Sequence, residues 1–210
     1  MKQIIMTTLV LLLAGCGSAP AMDVYEQLEA HARADQKAEE VSLERSSQDE
    51  LSVNTYQAVL DAGSDEIKRS ENEREELVAL NESRQQLMRK ETELRKNAME
   101  EVDFEEMRST IEELDEKPRT LGEATLRSLE IRHKAFLTYE ERYGAAMEAE
   151  EELLRLLTEK PDFVKIDEAT AELNRQLRQT NKAQQEFNAA TKRYNEQKPA
   201  FYKAAGLNIK

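Results

Sequence analysis

The spacing of the apolar residues constrains the fold of this chain more than any other feature, because it repeats every three or four positions over most of the length. In the last segment the repeat runs through Phe163, Ile166, Ala169, Leu173, Leu177, Thr180, Phe187, Ala190, Tyr194 and Phe201. Such a narrow stripe is typical of the long helices of coiled coils and elongated bundles. Strands need frequent turns and aromatic runs, yet aromatic residues make up only 5% of the chain. The sequence therefore predicts an all-α protein.

Few turn signals interrupt this pattern. Those at residues 61–64, 117–120 and 160–162 divide the chain into four helical segments, each about 60 Å long. Short loops between long helices make consecutive helices antiparallel, so we expect an elongated up-and-down four-helix bundle. The first segment has the weakest stripe, which Ser46 and Ser47 interrupt. Four helix starts are predicted from capping residues. Ser64 follows Gly63, which ends the first helix, and Asp162 caps the last helix. Thr120 and Glu123 form a capping box behind Pro118, and Asp103 with Glu106 marks a second cap at a break in the long second segment.

The N-terminal residues form a lipoprotein signal peptide. Lys2 provides a positive head, and the apolar run Ile4–Leu13 is too short to span a bilayer. The stretch Leu13-Ala14-Gly15-Cys16 resembles the lipobox of bacterial lipoproteins, which implies cleavage before Cys16 and transfer of a diacylglyceryl group to its thiol. We therefore assign residues 1–15 to the signal peptide, 16–21 to the acylated cysteine and a short tether, and 22–210 to a helical bundle domain.

The predicted modification also predicts a location. Two acyl chains hold a protein on a membrane stably, whereas a single chain does so only marginally. A diacylglyceryl group on Cys16 would thus anchor the domain to the extracytoplasmic face of the cell membrane. Cys16 is the single cysteine of the sequence, so no internal disulfide is expected.

A family resemblance covers essentially the whole chain. It rests on the lipobox, the acidic stretch at residues 71–77, Tyr194-Asn195-Glu196 and the closing stretch at residues 201–210. Together these residues resemble the cell-wall binding lipoproteins of Gram-positive bacteria, the YkyA-like family. The resemblance implies a four-helix up-and-down bundle and binding of cell-wall material. It carries over no catalytic motif and no known ligand.

Sequence motifs for catalysis are lacking. Acylation of Cys16 excludes a Cys/His nucleophile, and the sequence contains no glycine-rich phosphate loop, serine-nucleophile elbow or Cys/His zinc spacing. Glu130 and His133 match the Glu-x-x-His pair of di-iron bundles, but His31 has Leu28 where a second copy needs glutamate. We therefore predict a non-enzymatic protein without cofactor or metal, with His133 packed between helices.

Charge is distributed unevenly along the chain. The formal net charge is −13, whereas residues 173–210 hold eight lysine and arginine side chains against two glutamates. One interpretation is a basic strip that binds an anionic wall polymer, formed by Arg175, Arg178, Lys182, Lys192 and Arg193. The alternative is that these cations pair with acids of neighbouring helices. The negative net charge and the predicted location argue against nucleic acid as a partner.

The C-terminal tail also allows two interpretations. Tyr202 and Lys203, beside Phe201, could form an aromatic platform for a sugar or a partner protein, which makes both of them candidate ligand-binding residues. Alternatively, Phe201 closes the end of the core, and Leu207 and Ile209 fold back to seal it.

Taken together, these features favour a lipid-anchored extracytoplasmic protein that binds cell-wall material without catalysis. The alternative function is an adaptor or chaperone-like accessory of an extracytoplasmic envelope complex, which would bind its partner through helix faces. The sequence leaves the ligand, the partner and the oligomeric state open.

The lipobox generates a first prediction. Cys16→Ala removes the thiol that would accept the diacylglyceryl group, so the variant should be released from the membrane or remain unprocessed. Metabolic labelling with a palmitate analogue, followed by membrane fractionation, measures both effects. An unlabelled wild-type chain would contradict lipidation.

Overall fold

A computed structural model describes residues 19–62, 67–157 and 162–207, and this part of the chain folds into five α-helices without a strand. The helices are α1 (Ala19–Ala62), α2 (Ile67–Glu100), α3 (Phe104–Glu112), α4 (Glu116–Leu156) and α5 (Phe163–Ala204). The predicted all-α class is confirmed. None of these helices combines the length and hydropathy needed to cross a membrane. The predicted signal peptide, Cys16 and the turn at Gly63 and Ser64 lie outside the described residues.

Two of the predicted helix starts are confirmed. The Asp103 carboxylate caps α3 by accepting hydrogen bonds from the backbone N–H groups of Glu105 at 3.1 Å and Glu106 at 3.0 Å. Asp162 caps α5 in the same way, by accepting from the N–H of Lys165 at 3.3 Å. Each cap satisfies N–H groups that have no partner inside the helix. The second segment is therefore broken as predicted, and the short helix α3 follows the break.

The predicted capping box at Thr120 and Glu123 is wrong. Helix α4 begins at Glu116, so Thr120 already lies inside the helix, where its hydroxyl donates to the backbone carbonyl of Glu116 at 2.9 Å. Pro118 lies in the first turn and does not stop a helix. This position tolerates proline, because N–H groups in the first turn have no intrahelical acceptor to lose.

Side-chain contacts between the helices fix their relative directions. Helices α1 and α2 run antiparallel, because Asp35 contacts Arg95 while Arg45 contacts Glu91, further along α1 and earlier on α2. Helices α4 and α5 are also antiparallel, and α1 runs in the same direction as α4. The contacts that show this are Phe136 with Phe187 and Arg142 with Gln179 between α4 and α5, and Asp35 with Arg132 and Asp49 with Tyr143 between α1 and α4.

Helix α1 is longer and more regular than its weak apolar stripe suggested. Residues 19–21, which the sequence analysis places in the tether, belong to α1, and Ala21 is fully buried. Ser46 and Ser47 do not interrupt the helix. The gaps in the stripe are filled by buried polar side chains, among them His31, Arg45, Ser52 and Thr55.

Phe201 and Leu207 close one end of the core, as one of the two interpretations of the C-terminal tail predicted, while Ile209 lies outside the described residues. Phe201 is fully buried against Ile111 and Leu126, and Leu207 joins the same cluster. Gly206 has a φ of 72°, which lets the backbone turn so that the N–H of Leu207 donates to the carbonyl of Tyr202 at 3.0 Å. At the other end of α5, Phe163 is 72% exposed, so the first residue of the predicted stripe lies outside the core.

Candidate functional site

The predicted ligand-binding cations lie on the outer surface of α5. Six of its exposed cations fall within about 100° of the helix circumference, on the side away from the buried residues, and the row they form is about 42 Å long. Lys165, near the start of α5, is also exposed but lies outside this row. We call the surface formed by the row the basic face; it consists of Arg175, Arg178, Lys182, Lys192, Arg193 and Lys203.

The basic face pairs only with acids of its own helix. Arg175 holds Glu172 through two hydrogen bonds of 2.8 and 2.6 Å, and these bonds lower the pKa of the Glu172 carboxyl. Lys182 and Lys192 lie 3.9 and 4.0 Å from carboxylates one turn further along α5. Within the described residues, Arg178 and Arg193 form no ion pair. Over the ranges that the structure describes, these cations therefore form no ion pairs with acids of neighbouring helices, which the alternative interpretation requires.

Tyr202 does not form the predicted aromatic platform. Its side chain is only 7% exposed and packs edge-on against Tyr25 of α1. The Tyr202 hydroxyl donates to Glu29 at 2.8 Å, and Lys198 donates to the same carboxylate oxygen at 2.9 Å. Burial raises the pKa of Glu29, but these two donors outweigh it and hold the pKa below its ordinary value. Tyr202 thus ties the end of α5 to α1, whereas Lys203 stays exposed.

A largely buried network of charged side chains occupies the middle of the core, and the pattern of apolar residues did not predict it. Eight groups of alternating sign follow one another, each paired with the next. We call this the ion-pair ladder; in order, it consists of Arg132, Asp35, Arg95, Glu91, Arg45, Asp49, Arg84 and Glu150. With four cations and four anions, the ladder is neutral as a whole.

Glu91 lies near the centre of the ladder and is fully buried. One of its oxygens accepts from Arg95 at 3.0 Å, and the other accepts from Arg45 at 3.1 Å. Burial lowers the pKa of Arg95, but the neighbouring carboxylates of Asp35 and Glu91 outweigh it and raise the pKa. Both guanidinium groups therefore remain charged inside the core.

Aromatic rings and amide groups complete the surroundings of the ladder. The Arg45 guanidinium lies 4.7 Å from the ring centre of Tyr143, and that of Arg95 lies 4.9 Å from the ring centre of Phe136. These distances are those of cation–π contacts, which strengthen when water is excluded. At one end, Glu150 accepts from Arg84 and, at 2.7 Å, from the amide of Asn81. The donors and acceptors of the ladder are thus engaged with one another, which suits a structural role.

The two histidines lie beside the ladder. His31 is 2% exposed, and its Nδ1 has no hydrogen-bond partner among the residues that the structure describes. Burial lowers the pKa of His31 to about 4; nearby Asp35 opposes this effect, while Arg132, Lys198 and His133 add to it. His133 is half-buried, and Glu130 is bound instead to Arg108 of α3. Across the described part of the chain, no group of three or more His, Cys, Asp or Glu residues is placed to hold a metal ion.

Comparisons with known proteins identify a matching family and a similar lipoprotein. A family model described as "Putative cell-wall binding lipoprotein" matches residues 19–204, which include all five helices. The "Uncharacterized lipoprotein YkyA" of Bacillus subtilis (strain 168) is 25% identical over 209 residues, which cover 95% of this chain and 90% of that protein. No solved structure matches the chain.

The ladder generates a prediction about stability. Glu91→Gln keeps the shape of the side chain but leaves two buried guanidinium groups with one carboxylate fewer, so it should destabilise the protein by about 3–5 kcal/mol. Urea unfolding followed by circular dichroism measures the change. Glu93→Gln, at an exposed position of the same helix, is the matched control and should shift stability by less than about 0.5 kcal/mol. Equal stabilities of the two variants would contradict the role of the ladder.

His31 generates a prediction about pH. Because its folded-state pKa is about 4, below the ordinary value near 6.5, the unfolded chain binds the proton first as the pH falls. The contribution of His31 to stability is therefore fully present above about pH 6.5 and is lost as the pH falls towards 4, amounting to about 2 kcal/mol by pH 5. Urea titrations at pH 7 and pH 5 should show this loss in wild type and a reduced loss in His31→Gln. His133→Gln, at the half-buried position, should retain most of it, and an unchanged loss in His31→Gln would count against the assignment.

Proposed function

The chain belongs to the family described as "Putative cell-wall binding lipoprotein", and from this premise we propose that it is a lipid-anchored extracytoplasmic protein that binds anionic cell-wall material through the basic face of α5. The observation that carries the proposal is that the six cations of the basic face are exposed on one side of one helix. The side chains of Lys182 and Lys192 are each 79% exposed, and that of Arg175 is 52% exposed.

The electrostatics of the basic face support an extended ligand. The cations are spread over about 42 Å of helix, so a linear polyanion can contact several of them at once, whereas a single anion can contact one or two. Their present partners on α5 are exposed carboxylates, and exposed ion pairs contribute only about 0–1 kcal/mol each. An anionic polymer can therefore replace these carboxylates at small cost.

The rest of the molecule limits what the basic face attracts. The chain as a whole has a net charge of −13, so a polyanion is repelled by most of the surface and attracted along this one row. Attraction of this kind is screened by salt. We therefore expect binding to depend on the orientation of the ligand along α5 and to weaken as the ionic strength rises.

A charge-reversal experiment tests the proposal. Arg178→Glu with Arg193→Glu reverses two cations of the basic face that form no ion pair with another described residue, and this double variant should lose most of its sedimentation with purified cell wall at moderate salt. Its melting temperature should change little, because both side chains are exposed. Lys90→Glu with Lys134→Glu makes the same change in net charge at exposed positions of α2 and α4, and this control should sediment like wild type. Wall binding that survives the first double variant would contradict the proposal and favour the adaptor function.

A further inference from the structure

An open groove of about 310 Å³ lies between α2 and α4, away from the basic face. Glu82 and Arg89 of α2 and Glu151 of α4 contribute its charged side chains, and all three are exposed. None of them forms an ion pair with another residue in the described part of the chain, in contrast to the charged residues of the ladder. The groove thus presents three charged groups that remain available to a ligand.

The charges of the groove are separated along its length. Glu82 and Arg89 are seven residues apart on α2, which places them about 10 Å apart along the helix axis. Glu151 lies at the Glu82 end, because its neighbour Glu150 contacts Asn81 at 2.7 Å. One end of the groove therefore carries two carboxylates and the other a guanidinium.

The carboxamide of Gln85 lies between these two ends, and that of Asn81 lies at the acidic end. Asn81 is 2% exposed, and its amide is held by the carbonyl of Met147 at 3.0 Å and by Glu150 of the ladder. Asn81 in turn accepts a hydrogen bond of 2.6 Å from Gln85, which fixes the orientation of the Gln85 amide. The carbonyl oxygen and second N–H of Gln85 are the groups that a peptide bond can pair with.

We propose that this groove binds a linear peptide of about three residues, with its free amino group between Glu82 and Glu151 and its terminal carboxylate on Arg89. An extended chain spans about 3.3–3.6 Å per residue, so three residues match the separation of about 10 Å between the charged ends. The volume is near the lower end of the range of ligand pockets, which fits a short peptide. The half-buried aliphatic side chain of Val78 offers contact to small side chains of the peptide.

Calorimetric titration of the full-length protein in detergent with trialanine tests this inference. Trialanine should bind, and acetylation of its amino group or amidation of its carboxylate should each weaken binding by up to about fivefold, the factor that corresponds to the loss of one exposed ion pair. Dialanine, which cannot reach both ends, should bind more weakly than trialanine. Absence of binding by wild type, or equal binding of the free and capped peptides, would overturn the proposal, as would a preference for an uncharged oligosaccharide.

A variant identifies the end that holds the carboxylate. Arg89→Gln should bind trialanine and its amide equally, whereas Arg193→Gln, which removes a cation of the basic face, should retain the difference. An Arg89→Gln variant that folds, as judged by circular dichroism, and still distinguishes the two peptides would contradict the placement. The two proposals can be tested separately. The double variant Arg178→Glu with Arg193→Glu should lose sedimentation with cell wall but keep trialanine binding.

Discussion

Moving a guanidinium or a carboxylate out of water costs several kcal/mol per ion, and six of the eight charged groups of the ladder are buried in the core of this protein. Two kinds of contact offset this cost. Arg45, Arg84 and Arg95 each contact two carboxylates of the ladder, and Arg132, at its end, contacts one. In addition, aromatic faces cover the guanidinium groups of Arg45 and Arg95. The long helices can therefore pack only in arrangements that keep all of these pairs together.

Because of this requirement, the ladder fixes the register of the helices, that is, their alignment along one another. Apolar stripes with a three-four repeat look alike after a shift of one turn, so they specify the alignment of long helices weakly. A shift of α2 by one turn moves its charged groups by about 5.4 Å, which separates Glu91 from Arg45 and Arg95 from Asp35. We infer that the apolar ends of the core stabilise the fold, while the charged middle selects one alignment.

The sequence predicted the helices well and the middle of the core poorly, for one physical reason. Arginine and glutamate are almost always exposed unless they are paired, so a search for apolar repeats passes over Arg45 and Glu91. The signal was nevertheless present, because Val41, Arg45, Asp49 and Ser52 continue the three-four rhythm of α1 without a break. Asp103 was identified correctly because its cap is a local interaction. Thr120 was misassigned because a capping pattern also occurs inside helices, and Tyr202 because its partner Glu29 is distant in sequence.

The helical conformation of Ala19, the first residue that the structure describes, has a consequence for how strong each contact of the proposed wall binding must be. Only two residues lie between Cys16 and Ala19, so a lipid on Cys16 would keep the helical body within about 10 Å of the membrane surface at this end. Helix α1 is then about 66 Å long and sets the farthest point that the body can reach. A molecule confined to so thin a layer meets its ligand at a high effective concentration, as linked binding modules do. Individually weak ion pairs are then enough to keep it engaged.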